Sequence, residues 1–114
     1  IYDWAVDAAY YARYQALYAL FQKCGIQSEI HDCSLALFTF LFQNHFPERM
    51  FQEIETAKEQ RINLTYYTNR LVPKEEIEEN IRKAPTFVLE IDRLLQKMTF
   101  NKIESLREKV KKVI

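Results

Sequence analysis

A chain of 114 residues with 48% hydrophobic and 14% aromatic side chains predicts one folded domain over residues 1–114 and excludes a disordered protein. One glycine and three prolines are too few for the frequent tight turns of a β-sheet protein, so the composition favours a few long helices. The 16 basic and 16 acidic side chains balance, which excludes the global positive charge expected of a strong binder of duplex nucleic acid.

The first predicted helix covers residues 1–24 and ends before Gly25, which suits the left-handed position that follows many helices. Alanines recur along it at helical spacing and form a ridge that lets a neighbouring helix approach closely. Aromatic side chains recur beside the ridge, and we assign them to core packing rather than to stacking of nucleobases. The alanines are Ala5, Ala8, Ala12, Ala16 and Ala19, and the aromatic residues are Trp4, Tyr11, Tyr14, Tyr18 and Phe21.

The second predicted helix covers residues 33–44, with Asp32 as its N-cap. Its central positions are nearly all apolar, and a helix that is apolar all round must be buried all round. A buried strand is the competing interpretation, but the lack of nearby turn signals counts against it. A second copy of a chain this small can cover the outer face, so we predict a homodimer formed by this helix and the third helix. The contact residues assigned to the second helix are Leu35, Phe38, Leu41 and Phe42.

The third predicted helix covers residues 46–70, with Pro47 at its first position, where the missing N–H costs nothing. Apolar side chains at three- and four-residue steps form one face of this helix. Arg61 completes that face, and a guanidinium in an apolar seam is costly unless a partner stabilises it. The apolar members of the face are Met50, Ile54, Ala57 and Leu64.

Two interpretations of Arg61 are open from the residues alone. The first is a structural pair with a carboxylate such as Asp7 or Glu59, or a stack on a tyrosine. The second is an arginine at a cleft that binds a phosphate, which the planar fork of the guanidinium suits. Further hydrogen-bonding groups follow at the same end of the helix, which makes this end the candidate site. These groups belong to Asn63, Tyr66, Tyr67 and Arg70.

A break over residues 68–72 is predicted before a fourth helix that begins at Pro73, and glutamates in its first turns complement the helix dipole. Pro85 falls inside the fourth helical pattern and predicts a kink or a short interruption. Asn101 is the predicted cap of a final amphipathic helix. Together the elements predict an all-α bundle of four to five helices.

The two cysteines are too few for a disulfide framework and predict a reducing, cytoplasmic setting. The longest apolar run, residues 35–42, is too short to cross a bilayer, so we expect no membrane span. The soft metal ligands lack the paired spacing of a metal clip, and we predict no metal and no other cofactor. These ligands are Cys24, His31, Cys33 and His45.

Three segments resemble the HEPN family (higher eukaryotes and prokaryotes nucleotide-binding domain), especially its small stand-alone prokaryotic and archaeal members. They are DWAVDAAYYARY at residues 3–14, CGIQSEIH at residues 24–31 and LALF at residues 35–38. The similarity continues to about residue 98. The resemblance implies an antiparallel, up-and-down helical bundle, usually a homodimer, with its functional cleft along the dimer contact. It also implies a first helix that begins before Ile1.

Many HEPN proteins share an Arg-x₄₋₆-His motif that cleaves RNA without metal. In that chemistry the histidine moves a proton from the ribose 2′-OH and the arginine stabilises the strained phosphate. Arg61 matches the arginine of this motif, but the positions five to seven residues later are Tyr66, Tyr67 and Thr68. An unperturbed tyrosine titrates near pH ~10 and is a poor base at neutral pH. The chain therefore departs from the motif at the residue that supplies the base.

The resemblance implies a module that binds a nucleotide or an RNA phosphate, or serves in assembly, with a minimal nucleotidyltransferase as partner in a toxin–antitoxin pair. The assigned binding residues are Arg61, Asn63, Tyr67, Arg70 and His31. Tyr66 or Tyr67 would bind nucleotide or be modified by the partner. The alternative is a metal-independent ribonuclease that uses Arg61 with Tyr66 or Tyr67, or with His31 or His45 as the base. A third hypothesis is a purely structural helical dimer.

Overall fold

The computed structural model describes residues 2–27, 31–66 and 72–113. Every regular element among these residues is an α-helix, which confirms the predicted all-α class for the described part of the chain. None of these helices combines the length and the apolar character that a membrane span requires. The five helices are α1 (Tyr2–Lys23), α2 (His31–Phe42), α3 (Glu48–Tyr66), α4 (Lys74–Lys97) and α5 (Phe100–Val113).

α1 ends just before Gly25, as predicted. The backbone of Gly25 has a φ of 70°, in the left-handed region that glycine enters without steric cost. Its N–H donates to the carbonyl of Gln22, and the N–H of Ile26 donates to the carbonyl of Phe21 at 2.9 Å. This pair of bonds is a Schellman motif, and it satisfies carbonyls that the helix end would otherwise leave open.

α3 begins at Glu48 and α4 at Lys74, each directly after the proline predicted at its first position. The starts of α2 and α5 also differ from the prediction. Asp32 lies inside α2, which begins at His31, so it does not occupy the position before the helix. The cap of α5 is Thr99 and not Asn101, because the Thr99 hydroxyl accepts a hydrogen bond from the backbone N–H of Lys102 at 3.3 Å. Both errors shift the boundary by one or two residues, the usual uncertainty at helix ends.

Pro85 does not interrupt α4, which is continuous from Lys74 to Lys97. A proline removes one backbone N–H, here the donor to the carbonyl four residues earlier, and the remaining bonds of a long helix hold the element together. Pro73, the predicted first residue of this helix, is instead its N-cap, and its carbonyl accepts from the N–H groups of Glu76 and Ile77. Residues 67–70, the predicted end of the third helix, lie outside the described residues, as does most of the predicted break after them.

The core is built around the aromatic side chain of Phe38 on α2. Its ring centroid lies 4.8 Å from that of Phe51 and within 6.4 Å of those of Phe42, Phe46 and Phe87. The same buried cluster includes Met50 and Ile54 of the predicted apolar face of α3 and extends to Leu106 on α5. α1 packs against both α3 and α4, which makes it the helix that joins the two.

The residues predicted to form a dimer contact on α2 lie instead in the core of a single copy. Leu35, Phe38, Leu41 and Phe42 are each no more than 2% exposed. Helices of the same chain cover them, so these side chains offer no surface to a partner. Phe40 is the large apolar side chain of α2 that stays exposed, at 43%. Dimerisation itself stays a prediction.

The aromatic residues of α1 divide into two groups. Tyr14 and Phe21 are in the core, as predicted for all of them. Trp4, Tyr11 and Tyr18 are exposed, so the assignment of the whole stripe to core packing is wrong for these three. Seven-residue spacing explains the division, because residues two helical turns apart share one side of the helix.

Candidate functional site

Arg61 lies in the C-terminal part of α3, where this helix packs against the start of α1. Its Nη2 atom donates a hydrogen bond to the Tyr11 hydroxyl at 2.9 Å. Its guanidinium carbon lies 5.0 Å from the ring centroid of Tyr11 and 5.5 Å from that of Tyr10, within the range of a cation–π interaction. The side chain is 21% exposed. Two tyrosines thus hold a partly exposed cation between α1 and α3.

The carboxylate beside Arg61 is that of Asp7, one of the two acids proposed from the sequence. Arg61 Nε and Asp7 Oδ1 are 3.5 Å apart, and the Asp7 side chain is 44% exposed. Neither of these two atoms has a hydrogen-bond partner among the described residues. The contact is therefore an ion pair without a hydrogen bond, and its two facing atoms are buried although both side chains are partly exposed.

This arrangement leaves donors on Arg61 for another oxygen ligand. A guanidinium carries five N–H donors in a planar fork, and the hydrogen bond to Tyr11 uses one of them within the described part of the chain. A phosphate could form charge-assisted hydrogen bonds with the remaining donors on Nη1 and Nη2, and such bonds are stronger than the contact with Asp7. The Asp7 carboxylate would repel a phosphate, so binding requires Arg61 to turn from one anion to the other.

The other predicted site residues do not join this cluster in the described structure. Asn63 follows Arg61 by two residues in a continuous helix, which separates their side chains by about 200° around the axis. Tyr66 and His31 are described only as helical backbone positions in α3 and α2. Tyr67 and Arg70 lie outside the described residues. Roles for these residues stay predictions.

His45 lies between α2 and α3, far from Arg61 of the same copy. Thirteen residues of α3 separate Glu48 from Arg61, which corresponds to roughly 20 Å along the helix. Burial, followed by the nearby charges of Lys109 and Lys102, lowers the pKa of His45. Its Nδ1 is buried without a hydrogen-bond partner among the described residues. His45 therefore cannot act as the base for a phosphate at Arg61 within one copy.

The sequence analysis missed a second arginine, Arg13 of α1, which is fully buried. Its Nε donates to Glu53 Oε2 at 2.8 Å, and its Nη2 donates to the backbone carbonyl of Asn80 at 2.7 Å. Its Nη1 donates to the side-chain oxygen of Asn80 and to the carbonyl of Ala9. Asn80 in turn donates to Gln60 Oε1 at 2.7 Å. The network ties α1, α3 and α4 together.

A signal for Arg13 was present in the sequence. Val6, Tyr10, Arg13, Leu17 and Leu20 recur at three- and four-residue steps, so Arg13 completes an apolar face of α1 just as Arg61 completes one of α3. The structure also places Arg13 and Glu53 beside a cavity of about 540 Å³ between α3 and α4, lined by polar residues alone. The donors of Arg13 are already used inside the protein, which assigns it a structural role.

Metal and thiol chemistry find little support in the described residues. No three His, Cys, Asp or Glu side chains in that part of the chain are grouped closely enough to hold a metal ion. Both cysteines are free thiols, with Cys33 exposed and Cys24 buried. Burial raises the pKa of the Cys24 thiol, which disfavours the thiolate that a nucleophile needs.

Comparison with known proteins identifies one family. The family model described as HEPN domain matches residues 1–94, which covers α1 to α3 and nearly all of α4, including Arg13 and Arg61. α5 follows the matched region. A search of curated proteins and a search of solved structures each found no match.

Proposed function

We propose that this chain, which belongs to the HEPN domain family, is a module that binds a nucleotide or an RNA phosphate through Arg61. The observation that carries the proposal is the state of that guanidinium. It is partly exposed and oriented by Tyr11, and its ion pair with Asp7 lacks a hydrogen bond. A cation held in place with unused donors is suited to a phosphate.

A purely structural role accounts less well for Arg61. Arginine is retained in a core when its donors are satisfied, as those of Arg13 are, because an incompletely bonded buried charge is costly. Among the described residues, Arg61 donates one hydrogen bond and has a carboxylate neighbour whose side chain is nearly half exposed. Such a pair contributes less to stability than the apolar side chain that α3 would otherwise carry at this position.

For the assembly, we propose an antiparallel bundle that forms a cytoplasmic homodimer and works with a minimal nucleotidyltransferase. The pairs Arg13–Glu53 and Asp7–Arg61 support antiparallel α1 and α3, because the residue numbers rise on one helix as they fall on the other. An open apolar groove of about 670 Å³ between α1 and α4 supports self-association. The proposal of a nucleotidyltransferase partner depends on family membership alone. Co-purification of this chain with a separately expressed minimal nucleotidyltransferase tests that proposal.

The experiment compares wild type with Arg61→Gln and with the control Arg82→Gln. Arg82 is an exposed arginine of α4 beside Glu79, so its replacement removes the same charge from a side chain outside the contacts of Arg61. Binding is measured as the fluorescence anisotropy of a dye-labelled single-stranded RNA in EDTA, and circular dichroism checks the fold. We expect Arg61→Gln to stay folded and to lose binding at least tenfold, while Arg82→Gln binds like wild type.

The same samples separate the alternatives. Cleavage of the RNA by wild type and not by Arg61→Gln would replace the binding module with a metal-independent ribonuclease, and His31→Ala and His45→Ala would then be tested for the base. Loss of the folded state in Arg61→Gln would instead assign the residue to a structural ion pair. Equal RNA affinity of all three proteins would refute the proposal.

A further inference from the structure

Three exposed aromatic side chains form a row along α1, which we call the aromatic row: Trp4, Tyr11 and Tyr18. Their exposed fractions are 84%, 39% and 40%. Successive members are seven residues apart, which places them on one side of the helix with a rise of about 10.5 Å between neighbours. Tryptophan is usually well buried in folded proteins, so an indole this exposed is a candidate contact for a ligand.

The aromatic row passes directly beside Arg61. Tyr11, its middle member, accepts the hydrogen bond from Arg61 Nη2, and its ring faces the guanidinium. Trp4 is therefore one step of the row from the cation that we assign to a phosphate, and Tyr18 is one step away on the other side.

We infer that the aromatic row stacks the bases of a single-stranded RNA whose phosphate binds Arg61, with Trp4 as the principal platform. The inference rests on the proposed function of Arg61 and extends it to the bases. A single strand alternates flat bases with phosphates, and its bases are free to stack on aromatic rings, unlike those of a duplex. Such stacking strengthens binding by roughly five- to hundredfold per base.

The composition of this edge of α1 favours RNA over a second protein copy as the occupant. On one flank of the row, Ala8 lies between Trp4 and Tyr11 and Gln15 lies between Tyr11 and Tyr18, so a small or a polar side chain separates successive rings. The continuous apolar surface of α1 lies beside the row and faces α4, where Ala5, Ala8 and Ala12 line the groove.

The experiment uses the intrinsic fluorescence of Trp4, the only tryptophan of the chain. The full chain is titrated with a short single-stranded RNA, with a strand of the same length that lacks bases, and with a duplex of the same sequence. Anisotropy of a labelled RNA is measured in parallel for wild type, Trp4→Ala, Arg61→Gln and the control Phe100→Ala. Phe100 is an aromatic residue of α5 that is 75% exposed and lies outside the aromatic row.

We expect the RNA to quench Trp4, and the duplex and the strand without bases to quench it far less. Trp4→Ala should stay folded and weaken RNA binding at least fivefold, whereas Phe100→Ala should bind like wild type. RNA binding that depends on Arg61, without quenching of Trp4 by the RNA and without weaker binding to Trp4→Ala, would overturn the inference about the aromatic row. That result would leave the proposed function standing. Absence of binding, or binding unaffected by Arg61→Gln, would overturn both.

Two further outcomes would also overturn the inference. Equal quenching by the strand without bases would show that the phosphates reach Trp4 without stacking. A change in Trp4 fluorescence with protein concentration alone, matched by a change in sedimentation, would assign the aromatic row to contact between copies.

Discussion

Replacement of Arg13 by methionine tests how much of the stability of this fold depends on one buried ion pair. The chain offers a matched comparison, because two arginine–glutamate pairs have nearly the same geometry and opposite surroundings. Arg13 Nε lies 2.8 Å from Glu53 Oε2, and the Arg13 side chain is fully buried. Arg49 Nη2 lies 2.7 Å from Glu90 Oε1, and the Arg49 side chain is 60% exposed. Any difference between Arg13→Met and Arg49→Met therefore measures burial together with the hydrogen bonds from Arg13 to Asn80 and Ala9.

The expected loss follows from what Arg13→Met leaves behind. Methionine fills much of the space of the arginine stem but donates no hydrogen bond, so Glu53 and the two oxygens of Asn80 lose their donor. Removing one partner of a buried ion pair costs about 3–5 kcal/mol, because the charge of the other partner stays buried and unpaired. At roughly 4 °C per kcal/mol for a chain of this length, the melting temperature should fall by about 12–20 °C.

The assay is urea unfolding followed by circular dichroism for wild type, Arg13→Met, Arg49→Met and the double variant Arg13→Met/Glu53→Met. We expect Arg49→Met to unfold near the wild-type midpoint, because an exposed pair contributes little. The double variant should regain part of the loss, since it removes the stranded carboxylate. A free energy of unfolding for Arg13→Met within about 1 kcal/mol of wild type, or no lower than that of Arg49→Met, would refute the reasoning.

Two further predictions concern the ends of α2 and α1. The pKa of His45 is lowered below its ordinary value of 6.5 in the folded chain. As the pH falls, the unfolded chain therefore binds a proton at His45 before the folded chain does. The free energy of unfolding decreases from about pH 7 downward as a result. His45→Phe should reduce this loss, measured as the change in the free energy of unfolding between about pH 7 and pH 5, and an unchanged pH dependence would contradict it. Gly25→Ala should cost about 1–2 kcal/mol in urea unfolding, because a φ of 70° is unfavourable for alanine. The atoms nearest to the added Cβ would be those of the Arg107 side chain, at 3.7 Å, which is an ordinary contact, so a loss near zero would show that the backbone had relaxed.

Local patterns in the sequence predicted much of the fold. The spacing of Met50, Ile54 and Ala57 identified the buried face of α3, and all three side chains are almost fully buried. Gly25 marked the end of α1, because few residues other than glycine enter the left-handed conformation there. Asp7 was named as a partner of Arg61 on charge alone, and the ion pair is present. These features depend on helical geometry and on elementary charge pairing.

Features that depend on distant contacts were not predicted. Arg13 is bonded to Asn80, 67 residues away, and no local pattern connects the two positions. α1 also carries alanines and aromatic residues around most of its circumference, which hid the face that packs inward. For α2, the apolar run predicted burial on all sides, which is wrong for the exposed Phe40, and it could not indicate whether the same chain or a second copy covers the buried side chains. Phe38 and its neighbours are covered by their own chain.

The network around Arg13 also imposes an order on biosynthesis. Arg13 and Glu53 are 40 residues apart in the chain, whereas Arg13 and Asn80 are 67 apart, so the carboxylate leaves the ribosome well before the amide. At about 5–20 residues per second, Asn80 follows Arg13 by roughly 3–13 seconds. The nascent chain can neutralise the guanidinium when α3 emerges, but α1 cannot complete its hydrogen bonds until α4 has been translated. In a nascent chain that ends after α3, Arg13 therefore lacks its hydrogen bonds to Asn80, and the side chain that the finished fold buries is incompletely bonded.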